Sequence, residues 1–394
     1  MIPVVVLGAN LGSLGVVRSL ASGGMPIFVA DSGSGGVAAW SRFSRSISLR
    51  SLGGQDLVQG LIKASIRIGG RPVLILTTDA DANTVSAFRT ELQPYFRFTL
   101  PAPEMVHKLY DKAQFQILAE QESLSVPRGV ILSNPSDLEL ISELKLPLVI
   151  KPADKAPLVS NLENDRPVRV DTRAEAYHVA LQMMERAGRL AIQEWIEGDD
   201  SDIYFSLFVC DSESKVVAMF SGRKLVCDPP DVGITAICTA APETDEELSN
   251  LSRHFIERVG YKGIGGLEYK RDRRSGRLVI TEPTVGRIDW QEEIATLCGV
   301  NIPLAAYCAE TGVPFKKSTR NKSSVMWRSS IVHRLPAAIA PPGASMRDGY
   351  FRLNDPLPGL YYYAFELLPL GAKKLLRRMH LQKGRPRELS KQYE

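Results

Sequence analysis

The sequence predicts a Rossmann-like α/β domain followed by α+β structure. Two patterns carry this prediction. Before Pro101, short β-branched strands alternate with helices, the signature of a parallel sheet covered by helices. From Asp202 onward the pattern changes to antiparallel hairpins with polar turns. The chain has 394 residues, room for two to four domains at roughly 100–200 residues each.

The elements follow in order. Val4–Leu7 reads as a strand, Gly8-Ala-Asn-Leu-Gly12-Ser-Leu-Gly15 as a tight turn, and residues 14–22 as a helix ended by Gly23-Gly24. Pro26–Ala30 is a second strand closing on Asp31, and Val73–Thr77 a third, ending in the polar cluster Thr78-Asp79-Ala80-Asp81. Residues 104–123 have helical periodicity and stop at Val126-Pro127. Residues 135–143 form a short helix, and Leu146–Ile150 a strand ending at Lys151-Pro152. Residues 172–187 form a helix with Asp171 or Thr172 as N-cap, and Leu190–Ile196 a strand. Ile203–Cys210 and Lys215–Phe220 make one hairpin, Gly266–Arg271 and Arg277–Glu282 another, with a helix over residues 243–260 between them. Helical pieces over 290–297 and 303–311 precede an irregular, Pro-rich stretch beyond Lys316.

Composition excludes several classes. Hydrophobic residues at 44% and charged residues at 23% fit a soluble globular chain rather than a disordered one. The 25 Pro and 31 Gly are spread along the sequence and exclude a coiled coil. The five Cys (210, 227, 238, 298, 308) form no CxxC pair and the five His are scattered. No zinc cluster is therefore expected, and the compartment expected is the reducing cytoplasm. No apolar run reaches the ~18 residues of a membrane span, and no basic residue precedes Arg18, so no secretory signal is expected. Net charge is +4, yet residues 372–394 alone hold eight Lys/Arg against two Glu. The body is near neutral, so no nucleic-acid partner is expected. The basic tail, after the amphipathic Leu360–Leu368, suits a peripheral membrane or protein contact. Oligomeric state is not legible.

Four segments bear on chemistry. The Gly8/Gly12/Gly15 spacing is GxxxGxxG, not the dinucleotide GxGxxG, and reads first as a tight βα turn. With Asp31 about 20 residues on, it can also be read as a nucleotide site. In the second hairpin, Glu268 and Glu282 are equidistant from a turn near Ser275. They should face each other on one sheet face, ~5 Å apart. Two facing carboxylates repel unless a cation sits between them, and Mg²⁺ is usually held by one or two carboxylates plus substrate phosphates. Arg287, five residues on, suits a phosphate or carboxylate. Lys151 ends an apolar strand beside Pro152, where an ammonium meets phosphate oxygens. Lys112 is its partner in this reading. Gln193-Glu-Trp-Ile196 leaves a strand into an acidic loop, where backbone groups can pair with an adenine edge and Asp200 with ribose hydroxyls.

In this order the segments resemble the ATP-grasp superfamily of carboxylate–amine ligases, from about Leu109 to Tyr307. The resemblance implies a pre-ATP-grasp domain over 1–103 and an ATP-grasp domain over 104–315, split into a lid at about 104–190 and a C-terminal subdomain at about 191–315. A C-terminal extension covers 316–394. It places Lys112 and Lys151 on the nucleotide phosphates, and Gln193, Glu194 and Ile196 on adenine, with Asp200 on the ribose. It places Glu268, Glu282 and Thr284 on Mg²⁺ (or Mn²⁺), and it gives Lys224 and Arg287 catalytic roles. Two departures stand out: Thr284 replaces the family's Asn, and the loop 153–160 after the second lysine has no glycine. The implied reaction activates a small-molecule carboxylate as an acylphosphate with ATP. An amine then attacks, giving an amide, ADP and phosphate. The competing readings are a non-catalytic nucleotide-binding relative and an oxidoreductase using Gly8, Gly12 and Asp31.

Overall fold

A computed structural model of the chain describes residues 1–33, 35–153, 167–231, 233–316 and 325–368. The glycine-free segment 154–160 and the basic tail 372–394 lie outside them.

Four parallel strands, β1 (Val4–Leu7), β2 (Ile27–Asp31), β3 (Arg45–Ser48) and β4 (Val73–Ile75), form the N-terminal sheet in the order β3-β2-β1-β4. Helices α1 (Leu11–Leu20), α2 (Gly54–Ile68), α3 (Asp79–Ala87) and α4 (Arg89–Leu92) connect or flank these strands. α1 begins before residue 14 because Asn10 caps it, its side chain accepting the Ser13 N–H at 2.9 Å. α3 begins on a capping box, with the Thr78 side chain and Asp81 bonded reciprocally to each other's backbone.

The helix expected over 104–123 is two helices, α5 (Pro103–Tyr110) and α6 (Lys112–Gln121). Asp111 interrupts them. Its carboxylate caps α6 at the Gln114 N–H and pairs with Arg189 at 2.9 Å. The segment expected to be the lid follows: β5 (Gly129–Leu132), β6 (Leu148–Pro152), β7 (Val168–Val170) and β8 (Leu190–Glu194) form an antiparallel sheet in the order β5-β8-β6-β7. Helix α7 (Arg173–Ala187), capped by Thr172, packs on it.

The third layer is a seven-stranded sheet, β13-β12-β9-β10-β11-β14-β15. Its strands are β9 (Ile203–Cys210), β10 (Val216–Asp228), β11 (Ile234–Ala240), β12 (Gly263–Arg271), β13 (Leu278–Val285), β14 (Val325–Arg328) and β15 (Ser345–Asp348). β9 is buried along its whole length, so its apolar run does not alternate. β10 is longer than expected, and Lys224 lies within it rather than after the hairpin. Helices α8 (Asp245–Val259), α9 (Glu293–Leu297), α10 (Ile302–Thr311) and α11 (Leu357–Tyr361) complete the chain. Residues beyond 316 are not irregular throughout, since β14 pairs with β11 and extends the sheet. Arg18 of α1 fastens this region, donating to Asp355 at 3.0 Å and to the carbonyls of Gly349 and Tyr350.

The cores explain how these layers hold. The N-terminal sheet and the large sheet share two continuous apolar clusters; Leu61 and Phe96 pack in one with Phe208 and Tyr261, and Val29 and Leu14 in the other with Leu207 and Trp327. The lid has a core of its own, built from residues such as Leu132, Ile150, Met184 and Ile192.

Candidate active site

A cleft of about 780 Å³ lies between the three layers. One wall is the lid edge. β8 ends at Glu194, and Trp195 N–H donates to Pro147 O at 2.9 Å, turning the chain along the cleft. Trp195, Val149, Ile196 and Ile203 make an apolar slot there. Two cations approach the Trp195 ring, Arg169 at 5.0 Å and Lys270 at 4.5 Å. Lys270 went unnoticed in the sequence, although it sits two residues past Glu268 on the same strand face. Its pKa is lowered by burial, against the pull of Asp231 and Asp200.

Lys151, next to last in β6, is half-buried on this wall, its Nζ donating to Gln193 Oε1 at 3.1 Å. Burial first, and then the neighbouring charge of Lys112, brings its pKa down to about 8. Lys112 opens α6; its N–H donates to Ala153 O at 3.1 Å and its Nζ to Pro152 O at 3.4 Å. The two amines therefore flank one bend of chain, with Lys151 in the cleft lining and Lys112 behind it.

Opposite, β12 and β13 bring Glu268 against Glu282. The pairing depends on a bulge. Arg271 pairs with Leu278 and Tyr269 with Ile280, a register that would put Thr281 opposite Glu268; the shift between Glu268 and Tyr269 makes Thr281 the extra residue. Without it, Glu282 would point to the other face. Thr281 instead donates its hydroxyl to Glu268 Oε1 at 2.9 Å. Lys224, buried in β10, pairs with Glu268 Oε2 at 2.5 Å. Burial lowers the Lys224 pKa, but the adjoining Glu268 carboxylate outweighs it and holds the ammonium charged. Thr284 pairs with Gly266, two steps along the same face, and lines the cleft with both glutamates. This donor set fits Mg²⁺, with two carboxylates and a hydroxyl facing a cleft that leaves positions for phosphate oxygens and water. Among the described residues no cluster of three acidic, His or Cys ligands competes with it.

The far end of the cleft is built by the N-terminal domain. Arg287, after β13, forms an ion pair with Asp79 at the start of α3 and approaches Asp289 at 3.6 Å. Burial alone would lower the Arg287 pKa, yet Asp79 and Asp289 raise it. Tyr110 Oη lies within hydrogen-bond distance of two acceptors for its one proton, Val285 O at 2.9 Å and Asp79 Oδ1 at 3.2 Å, bracing this joint. Gln291 donates to Asp289 Oδ2 at 2.9 Å. Beside them the buried Thr235 hydroxyl has no hydrogen-bond partner among the described residues. Asp79 stood in a polar cluster at the end of a parallel strand, where ligands of α/β sheets gather. That position was the signal available in the sequence.

Asp200 is placed differently. Its carboxylate accepts the N–H groups of Cys227 and Asp231, at 2.7 and 2.8 Å, and it is outside the cleft lining. The Gly8/Gly12/Asp31 set is not assembled either. Gly12 and Asn10 line the cleft but Gly8 and Asp31 do not. Gly8 takes φ +87° at the turn, and Gly12 and Gly15 let α1 approach Trp290 and Glu293 closely. Gly8 thus serves the turn, and Gly12 and Gly15 serve packing between domains.

The chain is 24% identical over 336 residues to the D-aspartate ligase of Enterococcus faecium, across 80% of this chain and 78% of that one. In fold it is similar to the N5-carboxyaminoimidazole synthetase of Staphylococcus aureus in complex with ADP. The TM-score is 0.63 at 11% identity, covering 80% of this chain and 79% of that one. It is also similar to the biotin carboxylase domain of the Hydrogenobacter thermophilus 2-oxoglutarate carboxylase, solved with MgADP, ADP and bicarbonate. There the TM-score is 0.62 at 14% identity, covering 81% and 71%. No family model matches the chain.

Proposed function

We propose that this chain, which has the ATP-grasp fold, is an ATP-dependent carboxylate–amine ligase that forms ADP. The observation that carries the reading is the single cleft joining an apolar slot at Trp195 to the Glu268/Glu282 pair and to Arg287. In this reading Gln193–Ile196 holds adenine and Lys151, backed by Lys112, holds the phosphates, while Asp200, outside the cleft lining, takes no part in holding the ribose. Glu268, Glu282 and Thr284 hold Mg²⁺, for which Mn²⁺ is a natural substitute. When bound, the cation neutralises phosphate charge that the lysines alone leave unbalanced.

The residues' own work is positioning. A substrate carboxylate oxygen attacks the γ-phosphorus; the bond to the β-phosphate oxygen breaks, and ADP leaves an acylphosphate. An amine then attacks the acyl carbon, the carbon–oxygen bond to phosphate breaks, and the amine gives up a proton to water. Lys224 keeps Glu268 fixed through their ion pair. Arg287, held between Asp79 and Asp289, presents its guanidinium where the acylphosphate forms. The unpartnered Thr235 hydroxyl suits a polar group of the substrate. Small-molecule carboxylates and amines are the substrates, and the name of the relative from Enterococcus makes D-aspartate the first carboxylate to try.

The test is calorimetry with Mg-ATP and NADPH, followed by ADP release over a panel of carboxylates and amines. Binding of Mg-ATP with substrate-dependent ADP release is expected. NADPH binding with no ATP binding would overturn the proposal. ATP binding without ADP release on any pair would assign a non-catalytic nucleotide-binding role.

A further inference from the structure

We infer that the outer face of the C-terminal helix, residues 357–368, docks on an anionic lipid bilayer. The helix runs from α11 into a wider turn over Tyr362–Leu367. Its inner face is fixed to the body. Tyr361 stacks on Trp40 with centroids 5.0 Å apart, Tyr362 on Tyr350 at 3.5 Å, and Tyr363 Oη donates to Asp348 at 2.8 Å. The outer face is apolar as well. Leu360, Phe365 and Leu368 are 56%, 71% and 68% exposed, and Leu353 on the preceding loop is 91% exposed. A helix with one apolar face on the core and a second in water needs a second apolar phase. Several large side chains exposed together at one place are unlike the scattered apolar residues of an ordinary surface.

Charge identifies that phase. The sequence after the patch, residues 372–394, holds eight Lys/Arg against two Glu. A basic segment directly after an apolar patch is the chemistry that attracts acidic lipid headgroups while the apolar side chains enter the acyl boundary. No helix among the described residues is long and apolar enough to cross a membrane. This inference is independent of the reaction assigned to the cleft.

The full chain should co-sediment with vesicles of phosphatidylcholine mixed with phosphatidylglycerol, and much less with phosphatidylcholine alone, with binding weakened by salt. Leu360→Ser/Phe365→Ser/Leu368→Ser should weaken binding by at least about tenfold, with the melting temperature and its shift by Mg-ATP unchanged. Should the triple variant unfold, Leu353→Ser lies outside the helix and should weaken binding about threefold. No binding to the mixed vesicles would overturn the inference, as would variants that bind like wild type. Concentration-dependent dimerisation abolished by the triple variant, without lipid binding, would assign the face to a second copy instead.

Discussion

The two ends of the cleft are built by different physics. The slot around Trp195 is made of apolar side chains on the edge of a lid that has its own core. Its residues lie close together in sequence, and its specificity rests on shape and backbone. The end around Glu268, Glu282 and Arg287 is made of opposed charges brought from the N-terminal domain and three strands of the large sheet. Those two layers share continuous cores. The core of the smaller sheet is separate, so the apolar wall and the charge cluster are held in place by different packing. Substitutions at the charged end should therefore act on the chemical step, and those at the lid wall on nucleotide affinity.

The largest expected effect is at Glu282. Glu282→Gln should lower ADP release by about a thousandfold or more, the loss expected when charge stabilisation in the transition state is removed. Stability without metal should rise only slightly. Lys224 already offsets Glu268 at 2.5 Å, so relieving the repulsion contributes about a few tenths of a kcal/mol. Steady-state ADP release and thermal melting in EDTA check both halves. A large loss of stability would place Glu282 in the fold rather than the chemistry.

Next is the joint between domains. Arg287→Lys keeps the charge but loses the fork that reaches Asp79 and Asp289 together. It should cost about a hundredfold in kcat and leave the Mg-ATP affinity within about threefold. Asp79→Ala leaves Arg287 with Asp289 and should destabilise by about 1 kcal/mol, given that the pair is partly exposed. Single-turnover kinetics and urea unfolding separate these outcomes.

The contrast also governs what the sequence disclosed. The lid wall was legible because Lys151 and Gln193–Ile196 lie at strand ends that the apolar pattern marks. The Glu268/Glu282 pair was legible through its spacing, although the inference held for an incomplete reason. The hairpin register runs one residue out of step until Thr281 bulges, and a bulge leaves no sequence signature of its own. Asp79 and Asp289 were not singled out because ion pairs with Arg287 depend on how two domains meet. The strands β14 and β15 were missed because they are short and set in a Pro-rich stretch. Their stability comes from pairing, β14 with β11 and β15 with β14, and not from their own residues.

A smaller effect sharpens the lid side. Lys151 has a folded pKa of about 8 against an ordinary 10.5, so the fold disfavours its charged form. Its contribution to stability is thus fully present above 10.5 and is lost as pH falls through 8. Bound phosphate favours the ammonium, which reverses the preference. ATP binding between pH 8 and 10.5 should take up a proton, and affinity should fall with rising pH by at most about tenfold per unit. Calorimetry in buffers of different ionisation enthalpy reads the uptake. Lys151→Arg keeps the charge and should abolish the uptake, with ADP release changed less than for Arg287→Lys.

The smallest effect is at Thr284, where both descriptions meet. Its hydroxyl stands on the face of Glu268 and Glu282, but it is shorter than an amide and reaches less far toward a shared cation. Opposite it is Gly266, where even an added Cβ would stand 3.6 Å from the Thr284 Cβ, so a longer side chain has room at position 284. Water can complete the cation's shell, which Mg²⁺ tolerates because it usually keeps several waters. Thr284→Asn should therefore lower the Mg²⁺ concentration for half-maximal ADP release by about two- to fivefold, the scale of one improved oxygen ligand. Thr284→Val keeps the shape, removes the oxygen and should raise that concentration by a similar factor. ATP binding in EDTA should be the same for all three proteins, since the lid wall and its lysines are untouched. If both variants follow wild type across a Mg²⁺ titration, Thr284 is only a spacer on β13, and the cation rests on Glu268 and Glu282 alone.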